Sequence, residues 1–90
     1  LYPSRDVRYV ADDDGSMLLL HMRTGKYTYL NRTVGRVWQH MVENSATVEQ
    51  ALTAVAPELG VGVERFASDM TLAVAAWRKA RIVIGKEVKK

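Results

Sequence analysis

Up to about Leu30 the apolar positions alternate or run in short blocks, and from about Arg32 they recur every three to four residues. The first pattern is that of strands and the second that of helices. The change falls around Leu30-Asn31, with no linker between. Val7-Arg8-Tyr9-Val10-Ala11 is short and β-rich and predicts a first strand, preceded by a loose lead-in over Leu1 to Asp6. Asp12-Asp13-Asp14-Gly15-Ser16 follows, and Asp-Gly between two β-rich runs is a strong hairpin signal. Met17-Leu18-Leu19-Leu20-His21-Met22 is a second strand. Its apolar residues fall on both faces, which predicts a central strand at least partly covered on both sides. Arg23-Thr24-Gly25-Lys26 is the next turn, and Lys26 to Leu30, with the strand formers Tyr27, Thr28 and Tyr29, is a third strand. Two tight turns joining three strands make an antiparallel meander whose first and third strands are edges.

The first helix is predicted from about Arg32 to Glu43, with Val34, Val37, Trp38, Met41 and Val42 on one face. Gly35 inside it costs about 1 kcal/mol relative to Ala, which close approach of another backbone would compensate. Thr47-Val48-Glu49-Gln50 is a capping box and opens the second helix. Val48, Ala51, Leu52, Val55 and Leu59 share one face of it, and Pro57 is expected to truncate or kink its end. Gly60-Val61-Gly62 separates it from a long third helix, about Val63 to Ala80. Its core stripe is Val63, Phe66, Met70, Val74 and Trp77, and a flatter stripe carries Asp69, Leu72, Ala76 and Lys79. Ile82-Val83-Ile84 adds a brief extended segment, and a polar basic tail follows over 85–90. The predicted fold is α+β, winged helix-turn-helix-like: a three-stranded antiparallel sheet followed by three helices, in one domain over 1–90 with its core at about 7–84.

Composition narrows the chemistry. The chain has 90 residues, 48% hydrophobic, with no cysteine and a net charge of +3. Disulfides, Cys-ligated zinc and iron–sulfur clusters are excluded. No apolar run approaches the roughly 18 residues of a membrane span, and no signal peptide is visible. These features point to a cytoplasmic protein without membrane contact. The only histidines, His21 and His40, lie in different elements without metal-ligand spacing. The three adjacent aspartates lack the spacing of a calcium loop. No phosphate loop, dinucleotide fingerprint or nucleophile elbow occurs. The chain therefore reads as a non-enzyme without cofactor.

Two binding modes remain. Residues 78–90 hold six basic residues against Glu87 alone, an electropositive margin for an acidic peptide or nucleic acid. A winged-helix DNA-binding mode needs a short turn before a recognition helix. Here the connection, counted from Pro57 through Gly62, is long and loose. The helix after it opens Val63-Glu64-Arg65-Phe66-Ala67-Ser68-Asp69, with one Arg against two acids, which disfavours nucleic acid. Peptide binding by strand addition uses an edge strand. Tyr27-Thr28-Tyr29-Leu30 carries none of the usual edge blocks. The alternative is that this edge is simply short, with its tyrosines packed on the sheet. Three or four backbone hydrogen bonds contribute about 1 kcal/mol each, while association costs about 4 kcal/mol or more. Two side-chain anchors are therefore required, at about 1.5–3 kcal/mol each. Leu72, Ala73 and Ala76 beside Trp77 could form their pocket.

Gly25-Lys26-Tyr27, followed by Leu30-Asn31-Arg32-Thr33 and Trp38, resembles the signature of PqqD-like proteins, the peptide recognition elements of ribosomally made, modified peptides. Asp14-Gly15, Leu18-Leu19-Leu20, the Thr47-Val48 helix start and the third helix align with it, so the resemblance covers about residues 7–84. It implies a non-catalytic protein that binds the leader region of a precursor peptide and presents it to a processing enzyme. The leader would add as a strand along Lys26, Tyr27, Thr28, Tyr29 and Leu30. It would lie against Asp69, Leu72, Ala73, Ala76 and Lys79. A free-standing domain of this size looks most like the version in lasso peptide clusters, whose partner is a separate leader peptidase. The PQQ-pathway chaperone, which serves a radical enzyme, is the alternative within the family. Position 34 is Val where the family often has a small residue, and Arg81-Ile82-Val83 replaces its common Gly-Leu ending. If the Thr28 N–H faces outward, Thr28→Pro should abolish leader binding without unfolding the domain.

Overall fold

A computed structural model of the chain describes residues 1–85, so the expected basic tail lies outside the described residues apart from Gly85. In chain order the elements are β1 (Tyr2–Pro3), β2 (Val7–Ala11), β3 (Met17–His21) and β4 (Tyr27–Leu30). Then come α1 (Arg32–Asn44), α2 (Val48–Glu58), α3 (Val63–Asp69), α4 (Thr71–Lys79) and β5 (Val83–Ile84). The sheet has the order β2-β3-β4, both pairs antiparallel, as the meander predicts. The Asp12–Ser16 turn closes with the Asp12 N–H donating to the Ser16 carbonyl, and Gly15 takes φ +90°. The Ser16 hydroxyl and backbone N–H both donate to Asp14, which holds its carboxyl below the usual range.

Met17, Leu19 and His21 of β3 are buried in the core, but Leu18 on the other face is 42% exposed. With Leu20 half-buried, the outer face of this strand is partly covered, as expected, though far less than the core face. The helices lie on one side of the sheet.

α1 starts as its sequence dictates. Asn31 Oδ1 accepts from the Val34 N–H at 2.9 Å and satisfies one of the four unpaired donors of the first turn. Val37, Trp38 and Met41 are buried, Val34 is half-buried, and Val42 at 37% exposure lies outside the expected core face. A Cβ on Gly35 would stand 3.1 Å from the Gly15 carbonyl oxygen and 3.3 Å from Met17 Cγ. The close backbone approach that compensates this glycine is therefore the Asp–Gly hairpin turn, which docks on α1. α2 carries the full capping box between Thr47 and Gln50. α2 ends at Glu58, one residue past Pro57 and short of Leu59. Near the end of a helix a proline forfeits one bond, here to the carbonyl of Thr53, which is solvent-exposed. Leu59 lies past the helix and is 42% exposed instead of lining the core.

The long third helix is in fact two, α3 and α4, broken at Met70. The Thr71 hydroxyl donates back to the Ala67 carbonyl at 3.2 Å, a contact that bends helices. Phe66, Met70 and Trp77 are buried as expected, whereas Val74 is half-buried and Val63 is 39% exposed.

The lead-in is not loose. Tyr2 pairs with Ile84 and Pro3 with Val83, and the Ser4 N–H donates to the Ile82 carbonyl. This small second sheet clamps the two ends of the domain together. Its C-terminal strand is delivered by a complete Schellman turn: Ile82 N–H to Trp77 C=O and Arg81 N–H to Arg78 C=O. Arg81 occupies its left-handed position at φ 60°, a place where glycine carries no Cβ penalty. Arg81→Gly should therefore stabilise the domain by about 1 kcal/mol, raising Tm by about 4–8 °C in a thermal melt.

Candidate peptide-binding edge and groove

The backbone hydrogen bonds of the sheet decide which edge groups are free. The His21 N–H donates to the Lys26 carbonyl at 3.0 Å, and the Met22 N–H to the Asp6 carbonyl at 2.8 Å. In antiparallel pairs bonded and non-bonded positions alternate. The odd-numbered residues of β3 therefore bond β4 and the even-numbered ones bond β2. Thr28 lies opposite Leu19 and Leu30 opposite Met17, so both turn their backbone groups inward. Tyr27 and Tyr29 face the outside with two N–H and two carbonyl groups. The expectation that the Thr28 N–H faces outward is thus corrected: the free donors belong to its neighbours.

The two sheet edges differ. At the β2 edge the Val7 carbonyl points outward and accepts from the Arg8 guanidinium at 3.3 Å, while the same nitrogen donates to the Arg5 carbonyl at 2.8 Å. The arginine covers the start of this edge, at the Val7 carbonyl. Among the described residues, no side chain bonds the outward groups of Tyr27 and Tyr29. The outward groups of Tyr9 and Ala11 on β2 are unbonded too, so the feature that sets β4 apart is the groove beside it.

Beside this edge runs a groove of about 230 Å³, lined by Thr28, Tyr29, Leu30, Asn31, Val34, Ala73, Ala76 and Trp77. Three elements build it. β4 supplies one wall, α4 supplies the other through its two alanines, and Asn31 and Val34 at the start of α1 close the end. Trp77 is 2% exposed, and its ring meets that of Trp38 edge-on at a centroid distance of 5.8 Å. This pair fixes α4 against α1 and so fixes the width of the groove. None of the lining residues is charged. The site offers apolar walls, free backbone groups and the neutral polar side chains of Thr28, Tyr29 and Asn31.

Of the residues predicted to form the site, Thr28, Tyr29, Leu30, Ala73, Ala76 and Trp77 come together in the groove. Lys26 and Tyr27 lie along the same edge but outside it. Leu72 is 84% exposed and does not line it. Asp69 ends α3 in an exposed ion pair with Arg65 at 4.0 Å, and Lys79 is exposed at the end of α4. The break at Met70 divides the stripe that would have joined Asp69 to Leu72, Ala76 and Lys79. Asn31 and Val34 were not predicted as site residues. Their signal was present, because a cap and a first-turn residue that follow an edge strand directly must stand at its end.

His21 is buried, and its Nδ1 accepts the Arg23 N–H at 3.3 Å. Among the described residues no group of three or more His, Cys, Asp or Glu side chains could hold a metal ion. No helix among them is long and apolar enough to cross a membrane.

Comparison with known proteins agrees with this geometry. A search of curated proteins finds no match. A solved structure described as TbiB1 in complex with the TbiA(beta) leader peptide superposes with a TM-score of 0.80 at 24% sequence identity. The match covers 96% of this chain and 98% of that chain, and it shows that the fold is shared. The family described as coenzyme PQQ synthesis protein D (PqqD) matches residues 16–83, from the hairpin turn through the first residue of β5. The chain belongs to the PqqD family.

Proposed function

We propose that this protein binds the leader region of a ribosomally made precursor peptide as an added strand on β4. It holds the peptide without catalysing a reaction and presents it to a separate processing enzyme, the leader peptidase of a lasso peptide pathway. The observation that carries this reading is the free β4 edge with a groove running beside it. The outward groups of Tyr27 and Tyr29 lie beside a neutral, small-walled groove, whereas Arg8 caps the Val7 carbonyl at the start of β2. The superposing TbiB1 structure holds a leader peptide, which supports the same occupant here.

The energetics set what the peptide must contain. Four backbone bonds to Tyr27 and Tyr29 supply about 4 kcal/mol, which association costs of about 4 kcal/mol or more cancel. Net affinity then comes from alternate side chains of the peptide entering the groove. A groove of about 230 Å³ accommodates one large side chain or two smaller ones.

The rival DNA-binding mode loses one objection and keeps another. The connection between α2 and α3 is only the four residues 59–62, a length that suits a helix-turn-helix. α3 is nevertheless only seven residues long, and its Arg65 is paired to Asp69. Titration calorimetry with the synthetic leader should give Kd of about 10 μM or tighter, with a scrambled peptide silent. Raising the salt from about 50 to 200 mM should change this affinity little, whereas a phosphate-dependent complex would lose orders of magnitude. A silent leader, together with a salt-sensitive shift of mixed-sequence DNA, would reverse the assignment.

A further inference from the structure

The free edge of β4 does not stop at its last paired residue. Asn31 keeps an extended backbone, φ −68° and ψ 175°, so the outward series of Tyr27 and Tyr29 continues to its N–H. Its carbonyl is already committed: it accepts the Gly35 N–H at 2.7 Å and starts α1. Its side chain is divided in the same way. Oδ1 accepts from the Val34 N–H, which only the oxygen of an amide can do, and this leaves Nδ2 with two donors. Among the described residues, neither the Asn31 N–H nor Nδ2 donates a hydrogen bond. The residue is exposed and lines the end of the groove. The edge therefore ends in donors from one residue and no acceptor.

We propose that Asn31 fixes the register of the leader and selects one of its residues, which carries a hydrogen-bond acceptor in its side chain. The inference rests on the strand-addition reading above, with the leader antiparallel to β4 as the strands of this sheet are to one another. The leader residue opposite Asn31 gives its carbonyl to the backbone N–H and a side-chain oxygen to Nδ2. Residues directly opposite each other have Cβ atoms about 4.5–5.5 Å apart, within reach of a short amide. An oxygen-bearing side chain, as in Ser, Thr, Asp or Asn, completes the pair. A lysine there sets donor against donor.

Register needs such a residue. A slip of two residues leaves every side chain of an added strand on its own face. Tyr27 and Tyr29 offer each alignment the same N–H and carbonyl, so their ladder does not tell one from the next. Asn31 does, because it stands at the end of the edge and takes acceptors alone. Capping of α1 accounts for Oδ1 and leaves Nδ2 without a task. Aspartate and glycine also occupy cap positions, and neither carries a side-chain donor there. The two roles of Asn31 can therefore be separated by substitution.

The test is calorimetry with the synthetic leader, with thermal melts, on Asn31→Gly and Asn31→Asp. Both residues cap helices, so both variants should melt within a few degrees of wild type. Asn31→Gly should weaken leader binding about fivefold. Asn31→Asp should weaken it by about tenfold or more, because a carboxylate then faces an acceptor. An alanine scan of the leader locates the partner. At one position alanine should cost the wild type about fivefold and Asn31→Gly less than about twofold. Lysine at that position should restore binding to Asn31→Asp and weaken binding to the wild type. Wild-type affinity in both variants would reduce Asn31 to a helix cap and overturn the proposal. So would losses that add at every leader position, or a lysine leader that Asn31→Asp does not prefer. A wild-type protein that fails to bind leader at all would remove the strand-addition reading itself, which the first titration reports separately.

Discussion

Ala76→Arg should lower leader affinity by at least about a hundredfold while leaving the domain folded. Ala76 is exposed on α4 and lines the groove wall opposite Thr28 and Leu30. Its methyl group is what leaves room for a peptide side chain. An arginine there adds roughly 100 Å³ of side chain to a groove of about 230 Å³ and brings a charge to a neutral wall. The folded state loses little, because the position is exposed and arginine is a good helix former. The lost affinity corresponds to about 2.7 kcal/mol, close to one fully buried apolar anchor. Leu72→Arg is the matched control. It sits on the same helix, 84% exposed and outside the groove, and should change affinity by less than about threefold. Calorimetry with thermal melts on both variants distinguishes a narrow groove from the wider stripe that the sequence suggests. An equal loss in both would extend the site across the exposed side of α4. Full affinity in Ala76→Arg would remove the groove from the site.

The features legible in the sequence are those written in local patterns. The change of period at Leu30-Asn31 marks the junction of β4 and α1, because a strand alternates faces at every residue and a helix does not. Gly35 announces a close approach, and its partner proves to be the Gly15 carbonyl. The misreadings share a physical cause: each depends on a partner far away or on a single hydrogen bond. β1 has two residues, one of them proline, and its pairing strand lies some eighty residues later, so no periodicity could reveal it. The break at Met70 follows from the Thr71 hydroxyl, inside an apolar run with neither glycine nor proline to mark it. The outward direction of the β4 backbone follows from which residues pair at the turns. Side-chain alternation separates Tyr27 and Tyr29 from Thr28 and Leu30, but it does not say which pair bonds β3. That is why half of the site was visible as residues while its bonding parity was not.

This parity gives the second large effect: proline at adjacent positions of β4 should do opposite things. At Thr28 the N–H points to the Leu19 carbonyl, and Leu19 is 0% exposed. Thr28→Pro removes that bond and strands a buried acceptor, at a cost of about 1–3 kcal/mol before any clash of the ring with β3. Its Tm should fall by about 4 °C or more for each kcal/mol lost. Any loss of leader binding would then be tied to unfolding. At Tyr29 the N–H points away from the sheet, where edge strands tolerate proline. Tyr29→Pro should melt within a few degrees of wild type and bind leader at least about tenfold more weakly. It deletes one ladder donor, and the ring stands where the incoming strand must lie. Tyr29→Ala separates the two contributions: it keeps the N–H, loses a ring that is 67% exposed, and should retain affinity within about threefold. Full leader affinity in Tyr29→Pro would exclude strand addition at this edge. A Thr28→Pro protein that stays folded and loses binding would mean that the sheet pairs with the opposite parity. The pair of prolines thus tests the register and the binding mode together, because only a free edge makes the second substitution harmless to the fold and damaging to the complex.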